Sequence, residues 1–246
     1  VSQPLADLRE EAPRVLDAVA GRGLDARAVG GLAVFLRCPS AHRPPLAREY
    51  KDLDLVAAKA AARELGACLL ELGYVADQEF NALHGHRRLF FWDPLHERQL
   101  DVFVDQMEMC HTLDLRDRLG HDERALDVAD LLLAKLQVVE VNEKDLQDAT
   151  AILADHSVAP SGVDPERIAG LFANDWGWWR TGTESLGKVA DYAEALDGFP
   201  AAGVVRDRAG ELLARIEDEP KSRRWKLRAK VGERKRWYEL PEEVGA

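Results

Sequence analysis

Apolar residues recur at helical spacing near the start of the chain. Leu5, Leu8, Val15, Leu16 and Val19 predict a helix over 5–20. Arg27-Ala-Val-Gly30 predicts a short strand, broken by Gly30-Gly31, and Leu32–Leu36 predicts the start of a helix. Pro39 and Arg43-Pro44-Pro45 end it in a loop. Lys51–Ala57 (KDLDLVA) alternates polar and apolar residues and reads as a strand. The Ala-rich run Ala58–Leu72 reads as a helix closed by Gly73. Arg88–Trp92 and Gln99–Val104 read as two further strands. Beyond them the pattern turns helical, over Asp127–Val141, Glu143–Ala154, Asp164–Asn174, Leu186–Ala195 and Val205–Ile216, with Ser157–Val163 as a joint. Near the end, Trp225, Leu227, Ala229 and Val231 alternate with Lys226, Arg228 and Lys230, which predicts a strand. Gly232-Glu233 would turn it into a hairpin with 237–240. The pattern predicts an α/β (α+β) mixed sheet with helices over 1–120, then a mainly helical region over 121–246.

Composition narrows the class. At 246 residues, 46% hydrophobic and 31% charged, the chain is an ordinary globular one. Its length suffices to bury roughly 70–75% of the unfolded surface without a staple. No apolar run approaches the roughly 20 residues of a membrane helix. The acidic start VSQPLADLREEAP lacks the apolar run of a secretory leader. Three dispersed cysteines, Cys38, Cys68 and Cys110, form no CxxC pair, and a reducing cytoplasm is the expected location. The net charge of −11 argues against nucleic-acid binding by the whole surface. That charge is uneven: Lys221–Arg236 holds nine Lys or Arg against Glu233 alone. This segment carries +8 and leaves −19 for the remainder.

The acidic positions carry the chemistry. Asp52 and Asp54 lie two residues apart in one predicted strand, so both project from the same face. Asp101 sits between Leu100 and Val102, where a carboxylate is costly without a partner. Three carboxylates on neighbouring strands repel one another unless a cation lies between them. Hard oxygen ligands suit Mg²⁺ or Mn²⁺. Gly30-Gly31, between a strand and a helix, lets backbone N–H groups approach a phosphate. A tight turn is the plainer reading of the glycine pair, and exposed strand carboxylates that of the DxD.

Gly30-Gly31, Asp52-Leu-Asp54 and Leu100-Asp101-Val-Phe together resemble the nucleotidyltransferase superfamily with a DNA polymerase β-type palm. The likeness is nearest to its minimal and AbiEii/MenT-toxin-like branches. Leu131-Leu-Leu-Ala-Lys135-Leu followed by Glu143-Lys-Asp145-Leu-Gln-Asp148 is similar to a helical motif of those families. The resemblance implies that Asp52, Asp54 and Asp101 hold Mg²⁺ or Mn²⁺. It implies that Gly30 and Gly31 contact the phosphates of an NTP, with Lys51 beside them, and that Lys135 and Asp148 complete the catalytic set. Many members have Ser where Gly31 stands. The implied reaction moves a nucleoside monophosphate from an NTP to an acceptor hydroxyl with release of pyrophosphate. Acceptors within the resemblance include a tRNA end, a protein or a small molecule such as an aminoglycoside, and an antitoxin protein is an implied partner.

Several alternatives stay open. A catalytically degenerate module would bind nucleotide or a partner protein. A DxD glycosyltransferase would use Asp52 and Asp54 without needing Asp101. Read on its own, Lys135 lies on the apolar stripe of Leu131, Leu132, Val138 and Val139, where a lysine snorkels or finds a partner. Asp145 and Asp148, three apart, share a helix face or lie exposed. His86-Arg87-Arg88 reads as a solvated basic loop or a phosphate contact. Trp176-Gly-Trp178-Trp179 reads as a core plug, or as a base-stacking platform. The basic segment at 221–236 either binds nucleic acid or pairs with the acidic body.

Overall fold

A computed structural model describes residues 2–119 and 124–240. The chain divides into two compact units: residues 1–37, 48–107 and 113–126, and residues 38–47, 108–112 and 127–246.

The first unit is built on a five-stranded mixed sheet. Helix α1 (Leu8–Gly21) buries Leu8, Ala12, Val15, Leu16 and Val19 along one stripe, and Asp7 caps it by accepting from the Arg9 N–H at 2.9 Å. Strand β1 (Ala26–Val29) runs straight into helix α2 (Gly30–Arg37). Strand β2 (Asp52–Ala57), helix α3 (Ala62–Glu71), strand β3 (Val75–Ala76) and helix α4 (Gln78–His84) follow. Strands β4 (Arg88–Asp93) and β5 (Arg98–Val104) complete the sheet. Its order is β1-β2-β5-β4-β3, with β2 and β5 parallel and the other neighbours antiparallel. In the central pair β2–β5, Leu53, Leu55, Val56, Leu100, Val102 and Val104 are buried, with the carboxylate of Asp101 among them. A two-stranded ribbon of β6 (Gln106–Glu108) and β7 (Thr112–Asp114) comes next.

The second unit is helical: α5 (Val128–Leu136), α6 (Glu143–Asp155), α7 (Pro165–Asn174), α8 (Trp176–Ala195), α9 (Ala202–Asp218) and α10 (Arg223–Val231). Five of the six begin at a capping side chain: Asp127, Asn142, Asp164, Asp175 and Ser222 each accept a backbone N–H of the first turn. Among the described residues, no helix is long and apolar enough to cross a membrane.

The structure corrects several boundaries. Residues 225–231 form helix α10, not a strand, and no hairpin joins them to 237–240. Only Trp225, Arg228 and Ala229 of that segment are partly covered, a spacing of three and four rather than two. The apparent alternation came from interleaved helix formers. Helix α5 stops at Leu136, ahead of the β-branched Val138-Val139 and the α6 cap at Asn142. Helix α8 begins at Trp176, ten residues before the predicted Leu186, because Asp175 caps a run of poor helix formers. Strand β3 and helix α4 have too few residues to show a period in the sequence.

Candidate active site

The register of the sheet assembles the carboxylates. Asp54 lies opposite Asp101 across the parallel β2–β5 pair, and Asp52 opposite Gln99. Partners in register share a face, so Asp52, Asp54 and Asp101 all project from one side of the sheet. They grade inward from Asp52, which is exposed, through Asp54, to Asp101, which is 4% exposed.

Asp101 is not alone in its burial. Arg88 on β4 reaches it diagonally, its Nε donating to Asp101 Oδ1 at 2.8 Å. The same guanidinium lies 5.2 Å from the Phe103 ring centre. Burial pushes the Asp101 carboxyl above its ordinary value; Arg88 opposes that shift, and the like charge of Asp52 adds to it. Sequence reasoning placed Arg88 at the start of a strand and in a basic cluster able to touch phosphate, but missed its ion pair with Asp101. Arg88 sits in a strand rather than in a solvated loop. The available signal was its period-two spacing with Phe90 and Trp92 in a strand predicted to lie beside Asp101.

Gly30 belongs to the same face through β1. Val29 pairs with Asp54, so the next residue, the first of α2, lies against the Asp54 side chain. Its φ of +73° is in the left-handed region, and a Cβ there would fall inside van der Waals contact of Asp54 Oδ2. Glycine is required on both counts. At Gly31 a Cβ would meet the movable end of Arg48, whose guanidinium carbon stacks 4.4 Å from the Tyr50 ring centre. The first turn of α2 therefore carries two glycine N–H groups next to Asp54. Lys51 is exposed, one residue before β2.

The donor set fits a hard cation in kind, because Asp52, Asp54 and Asp101 offer only oxygens from one face. In arrangement it is incomplete: among the described residues, no group of three or more His, Cys, Asp or Glu comes together as an ion cage. One oxygen of Asp101 is given to Arg88.

Lys135, Asp145 and Asp148 come together in the second unit. Lys135 Nζ lies 2.8 Å from Asp148 Oδ2 and 3.1 Å from Asp145 Oδ1, and all three side chains are largely buried. Burial works against the ammonium charge, but Asp148 and Asp145 together outweigh it and the pKa is raised. The predicted pairing of this lysine with a partner is present, and it has two.

The tryptophan run is a plug rather than a platform. Trp176 and Trp178 are 6% and 3% exposed, and Trp237 closes on Trp176 with ring centres 5.7 Å apart.

No family model matches this chain, and no curated protein matches its sequence. Among solved structures it is similar to the antibiotic-resistance factor ANT(2'')-Ia, at 14% identity over 83% of this chain and 92% of that one, with a TM-score of 0.37. It is similar to an antigenic nucleotidyltransferase-like protein from Paracoccidioides brasiliensis, at 15% identity over 80% and 94%, TM-score 0.45. A nucleotidyltransferase assigned by resemblance in Helicobacter pylori matches at 13% identity over 85% and 95%, TM-score 0.42.

Proposed function

We propose that the first unit is a nucleotidyltransferase centre that moves a nucleoside monophosphate from an NTP to an acceptor hydroxyl. The observation that carries this reading is the register of Asp54 with Asp101 on adjacent parallel strands, with Gly30 held against Asp54. A helix start with two glycine N–H groups beside a carboxylate face suits a triphosphate chelated to a divalent ion. Asp52 and Asp54 would hold Mg²⁺ or Mn²⁺. When bound, such an ion neutralises triphosphate charge and favours the leaving pyrophosphate. Gly30 and Gly31 donate backbone hydrogen bonds to phosphate oxygens. Asp101, raised from its ordinary value, is suited to accept the acceptor's proton. The acceptor oxygen bonds to the α-phosphorus, the bond to the β-phosphate oxygen breaks, and pyrophosphate leaves.

Arg88 holds one oxygen of Asp101, so the other would take the acceptor's proton. That contact favours the second reading, a degenerate module that binds nucleotide without transfer. The in-register third carboxylate favours transfer over a glycosyltransferase, which needs only the DxD pair.

Thermal unfolding with each NTP, with and without Mg²⁺, tests the binding part. An Mg²⁺-dependent rise in Tm is expected, by mass action on the native state. It should vanish in Asp54→Asn and Gly30→Ala. No rise with any nucleotide would sink the proposal. A rise without pyrophosphate release, across acceptors of each class, would select the degenerate module.

A further inference from the structure

Helix α10 divides its residues sharply. Trp225, Arg228 and Ala229 turn toward the second unit. The Trp225 ring packs on Trp179 with centres 5.2 Å apart. Arg228 stacks 4.7 Å from the Trp176 ring centre and donates to the carbonyls of Gly232 and Lys235 at 2.7 and 2.6 Å. Lys221, just before the helix, is used up on the α9 carbonyls of Ile216 and Glu217 and on that of Glu219. These cations are structural.

The opposite face is different. Arg223, Lys226 and Lys230 are exposed and recur at i, i+3 and i+7, one stripe of a helix. Arg224 flanks the stripe, and Arg234 and Lys235 follow it, all exposed. Among the described residues, none of these six side chains makes an ion pair or hydrogen bond. Yet the chain as a whole carries −11, and other surface cations of this unit find carboxylates: Lys188 with Glu184, Arg206 with Glu194 and Asp207, and Arg215 with Glu166 and Glu219. Among the described residues, these six cations of the basic segment are therefore not paired with carboxylates of the acidic body. Like charges at this spacing destabilise a helix until an anion covers them.

From this stripe we infer that the outer face of α10 docks the phosphate backbone of a nucleic acid. The chemistry selects among polyanions. A protein interface centres on apolar and aromatic anchors and is depleted of lysine; here the aromatic side is turned inward, and Leu227 and Val231, 65% and 41% exposed, are the large apolar residues α10 leaves in solvent. A membrane-surface helix needs a broad apolar face, and α10 presents none to solvent. From Arg223 to Lys230 the stripe extends about 10 Å, at 1.5 Å per residue. That spans about three phosphates of one duplex strand, at 3.4 Å each. The docked molecule is the acceptor only if the nucleotidyl-transfer reading holds; the docking itself does not depend on it.

The test is fluorescence anisotropy of a labelled short RNA stem-loop with a single-stranded 3′ end, using the full chain from about 50 to about 200 mM KCl. The triple variant Arg223→Gln, Lys226→Gln, Lys230→Gln is expected to bind roughly tenfold or more weakly at the low-salt end. Its slope of log affinity against log salt should be shallower by about 2, the loss of about three phosphate contacts. Lys188→Gln with Arg206→Gln, which removes paired cations of the same unit, should leave both values unchanged. All these positions are exposed except Lys188, which is half-buried, and an unaltered melting curve confirms folding. The inference is overturned if wild type fails to bind the RNA at low salt, if the triple variant binds it as wild type does, or if poly-glutamate or phosphatidylserine vesicles compete as well as unlabelled RNA. Asp52→Asn should bind the RNA normally. RNA that binds through this face but takes up no nucleotide would show that the docked RNA is not the acceptor, and would leave the docking face standing.

Discussion

Two groups of buried or half-buried carboxylates in this molecule differ in how their charge is balanced. On the sheet, Asp52, Asp54 and Asp101 share one face, and the guanidinium of Arg88 binds Asp101. In the helical unit, Asp145 and Asp148 close on Lys135 from two sides. The first set is graded from exposed to buried along one strand face. The second sets two carboxylates on one ammonium, all three largely buried. An excess of like charge on a strand face has no structural merit of its own, and it points to a ligand. A lysine clamped by two acids joins α5 to α6 and needs nothing further.

The largest expected effect tests the closed set. Lys135→Met removes the ammonium that both buried carboxylates share, and breaking such a buried pair costs about 3–5 kcal/mol. Urea unfolding should show it as a lowered midpoint at unchanged slope. Adding Asp145→Asn and Asp148→Asn to Lys135→Met should restore most of the loss, because the cost lies in the unpaired charge. A Lys135→Met protein as stable as wild type would show that this lysine is no lock, and would return it to the nucleotide-binding role that the resemblance implies.

A second test concerns how dry the helical unit is. His111 accepts or donates at 2.9 Å to Thr181 Oγ1, with its ring centre 5.2 Å from that of Trp178. Burial pushes its pKa down to about 4, against a weak opposing pull from Asp175. Between the ordinary imidazole value near 6.5 and about 4, the unfolded chain takes up a proton that the folded chain does not. The stability due to the neutral ring is therefore complete above pH 6.5 and is lost as the pH falls toward 4. The loss amounts to about 3 kcal/mol at most, at about 1.4 kcal/mol per pH unit. His111→Gln should flatten the pH dependence of urea unfolding through this window. A wild-type curve already flat there would mean that water reaches the ring.

Much of the sheet site was legible because strands have a short, rigid period. A DxD in an alternating run fixes two side chains on one face, and an acid inside an apolar strand demands a neighbour. The in-register approach of Asp54 and Asp101 needed only that their strands be adjacent. The ion pair of Arg88 with Asp101 was not legible, because it is a cross-strand diagonal that depends on register. The contact of Gly30 with Asp54 likewise follows from the antiparallel pairing of Val29, which no local pattern states. In the helical unit, Lys135 was visible as a polar interruption of an apolar stripe, but its two partners depend on how α5 meets α6. The misread α10 shows the limit most plainly. Four residues that alternate by chance are outweighed by one capping serine and by which side chains the tertiary structure covers.

The smallest expected effect separates the two sets most sharply. Asp52 is exposed, and its charge helps to hold Asp101 above its ordinary value. With divalent ions chelated, Asp52→Asn removes repulsion and breaks no hydrogen bond among the described residues. Its stability should equal that of wild type or exceed it, within about 0.5 kcal/mol, as for other surface substitutions. The sign is opposite to that of Lys135→Met. Adding Mg²⁺ and an NTP should then raise the Tm of wild type and leave Asp52→Asn behind, since only wild type keeps the surplus charge that an ion would relieve. A variant that loses stability in chelator would mean that Asp52 is already balanced by a group of the protein. The sheet face would then be a closed set like that of Lys135, and the argument for an added cation would fall with it.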